Sequence, residues 1–427
     1  MTELRRVAIV GSARIPFCRS YTGYAEESNL TMLGTALAGL ADKYNLKGEA
    51  IGEVMAGAVI GHSRDFNLAR EATLDAGFSP STPGTNVQIA CGTSLQAALM
   101  LGAKIATGEI ESGIAAGSDT VSDAPIVVGD KFQHRLSKLS RAHSVGERFK
   151  ALKGFSFGEL APVAPSTQEP RTGLSMGQHC ELMARQWQIS REDQDKLALR
   201  SHQNAARAYD EGFHDDLLVS CAGVWRDNNV RADTTLEKMA TMKPAFDKSS
   251  GHGTLTAANS TPLTDGAASV LLASEDWARA HGLPVLAYLS MGKVSANNFA
   301  AGDGLLMAPT IAVSEMLRRS NLTFSDIDLF ELHEAFAAQV LCTLKAWRDP
   351  KYNQEVLERE TPMGEIDPER INVKGSSLAY GHPFAATGAR ILGVTAKLLQ
   401  SEDKERALIS VCTAGGMGVA ALVERAA

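Results

Sequence analysis

Nothing in this 427-residue sequence is an apolar run long enough to span a membrane. Paired cysteines are missing as well. Cys18, Cys91, Cys180, Cys221, Cys342 and Cys412 stand far apart with no Cys-x-x-Cys spacing, which argues against a disulfide framework and against a metal site of the zinc type. A reducing compartment fits that usage. The first residues, Met1-Thr2-Glu3-Leu4-Arg5-Arg6, have no leader character before the first strand pattern, so the expected location is cytoplasmic. The formal net charge is only −7, which removes any general reason to expect nucleic acid as a partner. What remains is the composition of an ordinary soluble protein, long enough for two or three domains.

The chain then reads as alternating strands and helices. Residues 6–10 form a buried strand pattern ending in a loop, 32–44 an amphipathic helix and 51–60 a second strand. A helix pattern follows Cys91, and 113–116 is a further strand ending at Gly117-Ser118-Asp119. The second half repeats this order: a strand at 285–294, a helix at 309–320, a strand at 327–332, a helix at 387–399 and a strand at 407–411. Segment 32–60 lies over 309–332, and 86–117 lies over 372–415. We read this as a duplicated βαβαβ unit, an α/β fold with a parallel or mixed sheet and helices on its faces. The expected divisions are an N-terminal half at 1–121, completed by part of 122–284, an inserted segment at 122–270 and a C-terminal half at 271–427.

Within the insertion, 131–153 carries Lys131, Arg135, Lys138, Arg141, Arg148, Lys150 and Lys153 against Glu147 alone. Phe132, Leu136, Leu139, Phe149 and Leu152 recur there at helical spacing. A solvated basic face, a surface for an anionic ligand's phosphates, and a surface for a membrane or an acidic partner all fit this pattern.

Four residues carry the chemistry. Cys91, in Gln88-Ile89-Ala90-Cys91-Gly92-Thr93-Ser94, sits at a strand-to-helix turn, where open N–H groups and the helix dipole favour a thiolate. Read alone, a cysteine there is more often a small buried thiol filling a turn. His382 precedes the last long helix in Gly381-His382-Pro383 and can supply the base that a cysteine nucleophile needs. Cys412 ends a strand before a glycine-rich loop, and a second thiol suits proton shuttling to and from carbon. His333 ends the equivalent strand one unit earlier and can donate to a developing oxyanion. Together these describe acyl transfer through a thioester, with a carbanion or enolate on one side of the reaction.

With these stretches in order, along with Ser175-Met176-Gly177, Gly253 to Asn259, Asp265-Gly266-Ala267-Ala268, His333-Glu334-Ala335-Phe336 and Cys412 to Gly418, the sequence resembles the thiolase family over nearly its whole length. The resemblance implies a thiolase fold, with two duplicated halves in a layered αβαβα core and an inserted loop domain. It implies acyl-CoA and coenzyme A as substrates, with no tightly bound cofactor. Cys91 would be the acylated nucleophile, His382 its activator and Cys412 the proton donor and acceptor. An oxyanion site would use the backbone N–H groups of Cys91 and Ala414, and Met176, Thr261, Ala335 and Phe336 would line the coenzyme A and acyl path.

His333, where many thiolases carry Asn, is similar to the thiolase subunit of the fatty-acid β-oxidation complex and its bacterial equivalents. That branch implies 3-ketoacyl-CoA thiolysis, a hydratase/dehydrogenase partner subunit, and contact with a partner or membrane through 131–153. A homodimer or tetramer is the family expectation. Two other readings stay open: an acetoacetyl-CoA thiolase working in the condensing direction, and a non-catalytic acyl-CoA binding protein on the same fold. A condensing ketoacyl synthase is disfavoured, because it is expected to use two histidines with one cysteine.

Overall fold

The computed structural model describes residues 4–426; the expected chain start at Met1-Thr2-Glu3 and the last residue lie outside the described residues. Its main sheet contains β1 (Val7–Arg14), β2 (Glu53–Gly57), β3 (Gly84–Asn86), β4 (Ser112–Asp119), β5 (Thr264–Ser274), β6 (Ala287–Ala296), β7 (Leu329–Leu332), β8 (Arg406–Thr413) and β9 (Met417–Arg425). The strand order is β7-β8-β9-β6-β1-β5-β4-β2-β3, and the short strand Cys18–Arg19 pairs with β5. Strands β1, β4 and β5 are buried along their whole length, so their sequences run apolar or small without alternation, as strands covered on both faces do.

The pairing pattern repeats. In the first half β5 is antiparallel to both β1 and β4, and β2 is parallel to β4 and β3. In the second half β9 is antiparallel to both β6 and β8, β7 is parallel to β8, and a parallel bridge from Phe330 to Ile371 stands where β3 stood. The halves join through antiparallel pairs Ala8 to Tyr288 and Ile9 to Ala287. The duplication read from the sequence is therefore present, but each half also contains an antiparallel strand, β5 or β9, that the reading did not place. The boundary expected at 270/271 falls inside β5. Small residues such as Asp265-Gly266-Ala267-Ala268 fill β5, and full burial removes the alternation that marks a strand.

Five layers follow from the helix contacts. The helix Asn29–Lys43 covers β1, β4 and β5, and the helix Ala308–Ser320 covers β6 and β9. Between the two halves lie Thr93–Thr107 and Thr387–Ser401, which pack on each other and on strands of both halves. Leu95, Ala98, Leu101 and Ile105 of the first share one apolar core with Ala389 and Leu392 of the second. Burying a side chain such as Leu101 contributes about 2–3 kcal/mol. The two helices approach so closely that a Cβ on Gly388 would stand 2.4 Å from the Leu95 backbone nitrogen. This packing places the start of both helices, and the turns before them, side by side.

Residues Ala124–Thr167 form a separate compact unit. Strands Val127–Val128 and Pro162–Val163 pair across it, and it holds helices Asp130–Ser140 and Val145–Leu152. Arg135 is its internal cation, bound to Glu159 at 2.8 and 3.0 Å and to the carbonyls of Ala151, Lys153 and Gly154. The other six basic residues of 131–153 are exposed, as are Leu136, Val145, Phe149 and Phe157.

Candidate active site

The turn that carries Cys91 is closed by its own next residues. The Thr93 hydroxyl accepts from the Ile89 N–H at 3.0 Å and donates to the Ala90 carbonyl at 2.7 Å, while Ala90 adopts φ +45°. A non-glycine residue in that region is uncommon, and here it re-aims the chain so that Cys91 faces the other half. Ser94 completes the placement: it donates to the Ala385 carbonyl at 2.5 Å and accepts from the Ala389 N–H at 2.8 Å.

His382 arrives from the opposite side. Gly381 holds φ +100°, which only glycine adopts readily, and a Cβ there would also meet Thr264 at 2.7 Å. Pro383 follows, then a short 3-10 turn Phe384–Ala386 and the helix Thr387–Ser401. The imidazole is held at Nδ1 by Thr387 Oγ1 at 2.7 Å, and its Nε2 lies 3.1 Å from Cys91 Sγ. His333 directly follows β7, fully buried, with its ring centroid 4.2 Å from that of His382. Cys91, His333 and His382 each offer one ligand-type atom within 4.8 Å of the others. Cys412 lies in β8 and is buried near enough to Cys91 for a Cys91 thiolate to raise its proton affinity. The loop beyond it, with Gly415 and Gly416 at φ +77° and +69°, is pinned where Glu169 accepts from the Gly415 N–H at 2.9 Å. The backbone N–H groups of Ala414 and Cys91 act on the Cys91 sulfur, pulling its proton affinity down.

Ala335, Phe336 and Cys412 share one apolar cluster, against which Met176 packs. Thr261 joins them through its N–H and hydroxyl, both donated to the Ala335 carbonyl at 3.1 Å. The catalytic and acyl-path candidates thus lie in one region, whereas the basic segment 131–153 belongs to the separate unit Ala124–Thr167.

Comparison with known proteins gives the family. Residues 7–276 match the thiolase N-terminal domain family and residues 284–425 the thiolase C-terminal domain family. The chain belongs to the thiolase family. It is 39% identical over 425 residues to a 3-ketoacyl-CoA thiolase of Erwinia tasmaniensis, covering 98% of this chain and 96% of that protein. A 3-ketoacyl-CoA thiolase of Vibrio cholerae is 40% identical over 425 residues, with 98% and 97% covered. Among solved structures, human mitochondrial 3-ketoacyl-CoA thiolase superposes with a TM-score of 0.83 at 26% identity. An acetyl-CoA acetyltransferase of Bacillus anthracis does so with 0.82 at 28%; both cover all of this chain and all of their own.

In this thiolase-family site, burial dominates the electrostatics. It pushes the Cys91 thiol up to about 12, against the pull of the Ala414 and Cys91 N–H groups, and drives Cys412 well above the ordinary thiol range. The same burial, with the Arg390 cation adding to it, lowers His382 to about 3. Resting Cys91 and His382 are therefore a neutral thiol beside a neutral imidazole. The thiolate expected from the helix terminus is not the resting form, because desolvation of a fully buried sulfur outweighs one helix end. An uncharged His382 is the form able to take a proton, provided its Nδ1–H is donated to Thr387.

The sequence reading missed the residues that hold these groups in place. Thr387, Ser94, Glu169 and Ser377 contact the site side chains or loops directly, and Arg390 backs Ser377. Asp119 acts across the halves, accepting from the Val59, Ile60 and Ala385 N–H groups, with burial raising it to about 7. Two signals were available: Ser377 lies in the Gly375-Ser376-Ser377 run, and Thr387 opens the helix after the Gly-His-Pro turn.

Proposed function

We propose that this protein is a 3-ketoacyl-CoA thiolase, cleaving its substrate with coenzyme A to acetyl-CoA and a shortened acyl-CoA. The 3.1 Å approach of Cys91 Sγ to His382 Nε2 carries the reading, with Cys412 and His333 converging on the same spot. Cys91 gives its proton to His382 Nε2 as its sulfur attacks the 3-keto carbon. His333 and His382 donate to one oxyanion, and the N–H groups of Cys91 and Ala414 to the other. The C2–C3 bond breaks, its electrons leave as the acetyl-CoA enolate, and the Cys412 thiol protonates carbon. The high proton affinity that burial gives Cys412 suits it to begin as an acid. Cys412 thiolate then takes the coenzyme A thiol proton, and the new thiolate displaces the acyl group from Cys91.

Met176, Thr261, Ala335 and Phe336 would line the coenzyme A and acyl path in this reading; three of them sit in or against the cluster that holds Cys412. The relatives at 39–40% identity, each named 3-ketoacyl-CoA thiolase, support fatty-acid β-oxidation as the setting. We extend the proposal to a cytoplasmic homodimer or tetramer that takes a hydratase/dehydrogenase partner. Unit Ala124–Thr167, with six exposed cations beside exposed Phe149 and Phe157, is its contact surface for that partner or an anionic membrane. Among the described residues no helix is long and apolar enough to cross a membrane.

Thiolysis of a 3-ketoacyl-CoA series from C4 to C16, followed by loss of the keto-thioester absorbance, tests the function. Activity that rises with chain length supports it. Activity confined to C4 would make the protein an acetoacetyl-CoA thiolase and remove the β-oxidation setting.

A further inference from the structure

His333 is held from behind by a chain of two hydrogen bonds whose directions can be worked out. Arg390 Nη2 lies 2.8 Å from Ser377 Oγ, and Ser377 Oγ lies 2.8 Å from His333 Nδ1. A guanidinium only donates, so the Ser377 oxygen accepts from Arg390. The hydroxyl has one proton, and among the described residues its other partner is His333 Nδ1. It therefore donates there, and Nδ1 carries the lone pair. The ring proton then sits on Nε2, which is buried and has no hydrogen-bond partner. An orphaned, fully buried N–H is costly unless a ligand satisfies it. The reverse arrangement would leave two groups orphaned, the Ser377 O–H and the Nε2 lone pair.

We propose that Ser377 and Arg390 are positioning residues that fix His333 as its Nε2–H tautomer, so that it presents a proton donor, rather than a lone pair, to the thioester oxygen beside Cys91. This rests on the proposed oxyanion role of His333. Sequence position gives the two residues no obvious tie to His333, since they lie 44 and 57 positions further along; the fold brings Ser377 in at the start of the short helix Ser377–Tyr380 and Arg390 from the first turn of Thr387–Ser401. Arg390 has a second effect. It is buried, with Glu331 and Glu334 as the nearest carboxyls and Arg14 as a further cation. Burial raises Glu331 to about 8, so it does not cancel the guanidinium near neutral pH. The remaining charge opposes protonation of both His333 and His382, which keeps one a donor through Nε2 and the other a base.

The test is a double-mutant cycle in the full-length protein, read as kcat and KM for 3-ketoacyl-CoA thiolysis. Ser377→Ala is expected to lower kcat about 10–100-fold with little change in KM, as loss of a residue that orients a catalytic group does. Ser377→Thr, which keeps the hydroxyl, should recover most of that. In a His333→Ala background, Ser377→Ala should cost less than about twofold more, because it acts only through the ring. Full multiplication of the two losses, or Ser377→Ala within twofold of the parent, overturns the relay. A His333→Ala variant that keeps nearly full activity overturns instead the oxyanion role beneath it. Arg390→Gln offers Ser377 a carbonyl acceptor, which lets the chain reverse. It should lose as much as Ser377→Ala and move the acid limb of the pH profile upward, while Arg390→Lys loses less. Full activity with an unmoved acid limb in Arg390→Gln would also sink the proposal. If Arg390→Gln does not fold, the Ser377 cycle decides alone.

Discussion

Cys91 Sγ and His382 Nε2 lie 3.1 Å apart although 291 positions separate them in the chain, and both rest uncharged. Their pairing depends on two helix starts meeting at the centre of a duplicated fold. Its chemistry depends on burial that neither local sequence encodes.

Replacing the nucleophile should abolish the covalent intermediate. Cys91→Ala protein incubated with a 3-ketoacyl-CoA should show no acyl adduct by mass spectrometry of the intact chain. His382→Ala should slow acylation by about 10²–10⁴, the usual worth of a general base. An acyl group found on Cys180 or Cys342 would refute the assignment.

Because the resting pair is neutral, alkylation of Cys91 by iodoacetamide should be slow at pH 7. Its rate should climb about tenfold per pH unit up to the alkaline limit of the fold, following the thiolate fraction of a thiol raised to about 12. A rate already at its plateau near pH 6 would mean a preformed thiolate–imidazolium pair.

Cys412→Ser should separate the half-reactions. Overall thiolysis is expected to fall at least about 100-fold, whereas acylation of Cys91 from a simple acyl-CoA should stay within a few-fold. Equal losses in both would remove its separate role in proton transfer to carbon.

Acid should destabilise the fold through its buried imidazoles. Burial holds His202 at about 4, His214 and His382 at about 3, and His333 well below its ordinary range. Their folded values lie below the unfolded value of about 6.5, so their contribution is complete above that pH and is lost as pH falls. Asp119 and Glu331, raised to about 7 and about 8, and Glu334, also raised, act in the opposite sense. With His179, also lowered by burial, five imidazoles against three carboxyls leave a net loss of about 1–3 kcal/mol per pH unit between pH 6 and 5. Urea denaturation at those two pH values measures it, and equal or greater stability at pH 5 would contradict it.

Gly388→Ala tests the junction of the halves. A Cβ 2.4 Å from the Leu95 nitrogen forces the two central helices apart, which should cost about 1–3 kcal/mol of stability and reduce thiolysis, since both helix starts carry site turns. An unchanged melting temperature and rate would show that Cys91 and His382 do not depend on that contact.

Several parts of this molecule were readable before folding was considered. The turn at Ala90-Cys91-Gly92-Thr93 is closed by Thr93 itself, and the Gly381-His382-Pro383 turn by the conformations of glycine and proline, so both appear in sequence as local patterns. The helix Asn29–Lys43 has one face toward a sheet and shows helical spacing, and the central helices Thr93–Thr107 and Thr387–Ser401, packed between the halves, were legible from the apolar spacing that follows their turns. Strands β5 and β9 escaped because each is covered on both faces and rich in small residues.

The sequence alone therefore determined which residues could do acyl-transfer chemistry and which turns would carry them, because turn conformation is set by neighbours a few positions away. Only the tertiary structure decided the state in which those residues rest. Whether Cys91 is a thiol, whether His382 is neutral and which nitrogen of His333 bears its proton depend on desolvation and on partners such as Ser377 and Arg390. Those are created by packing the two halves together.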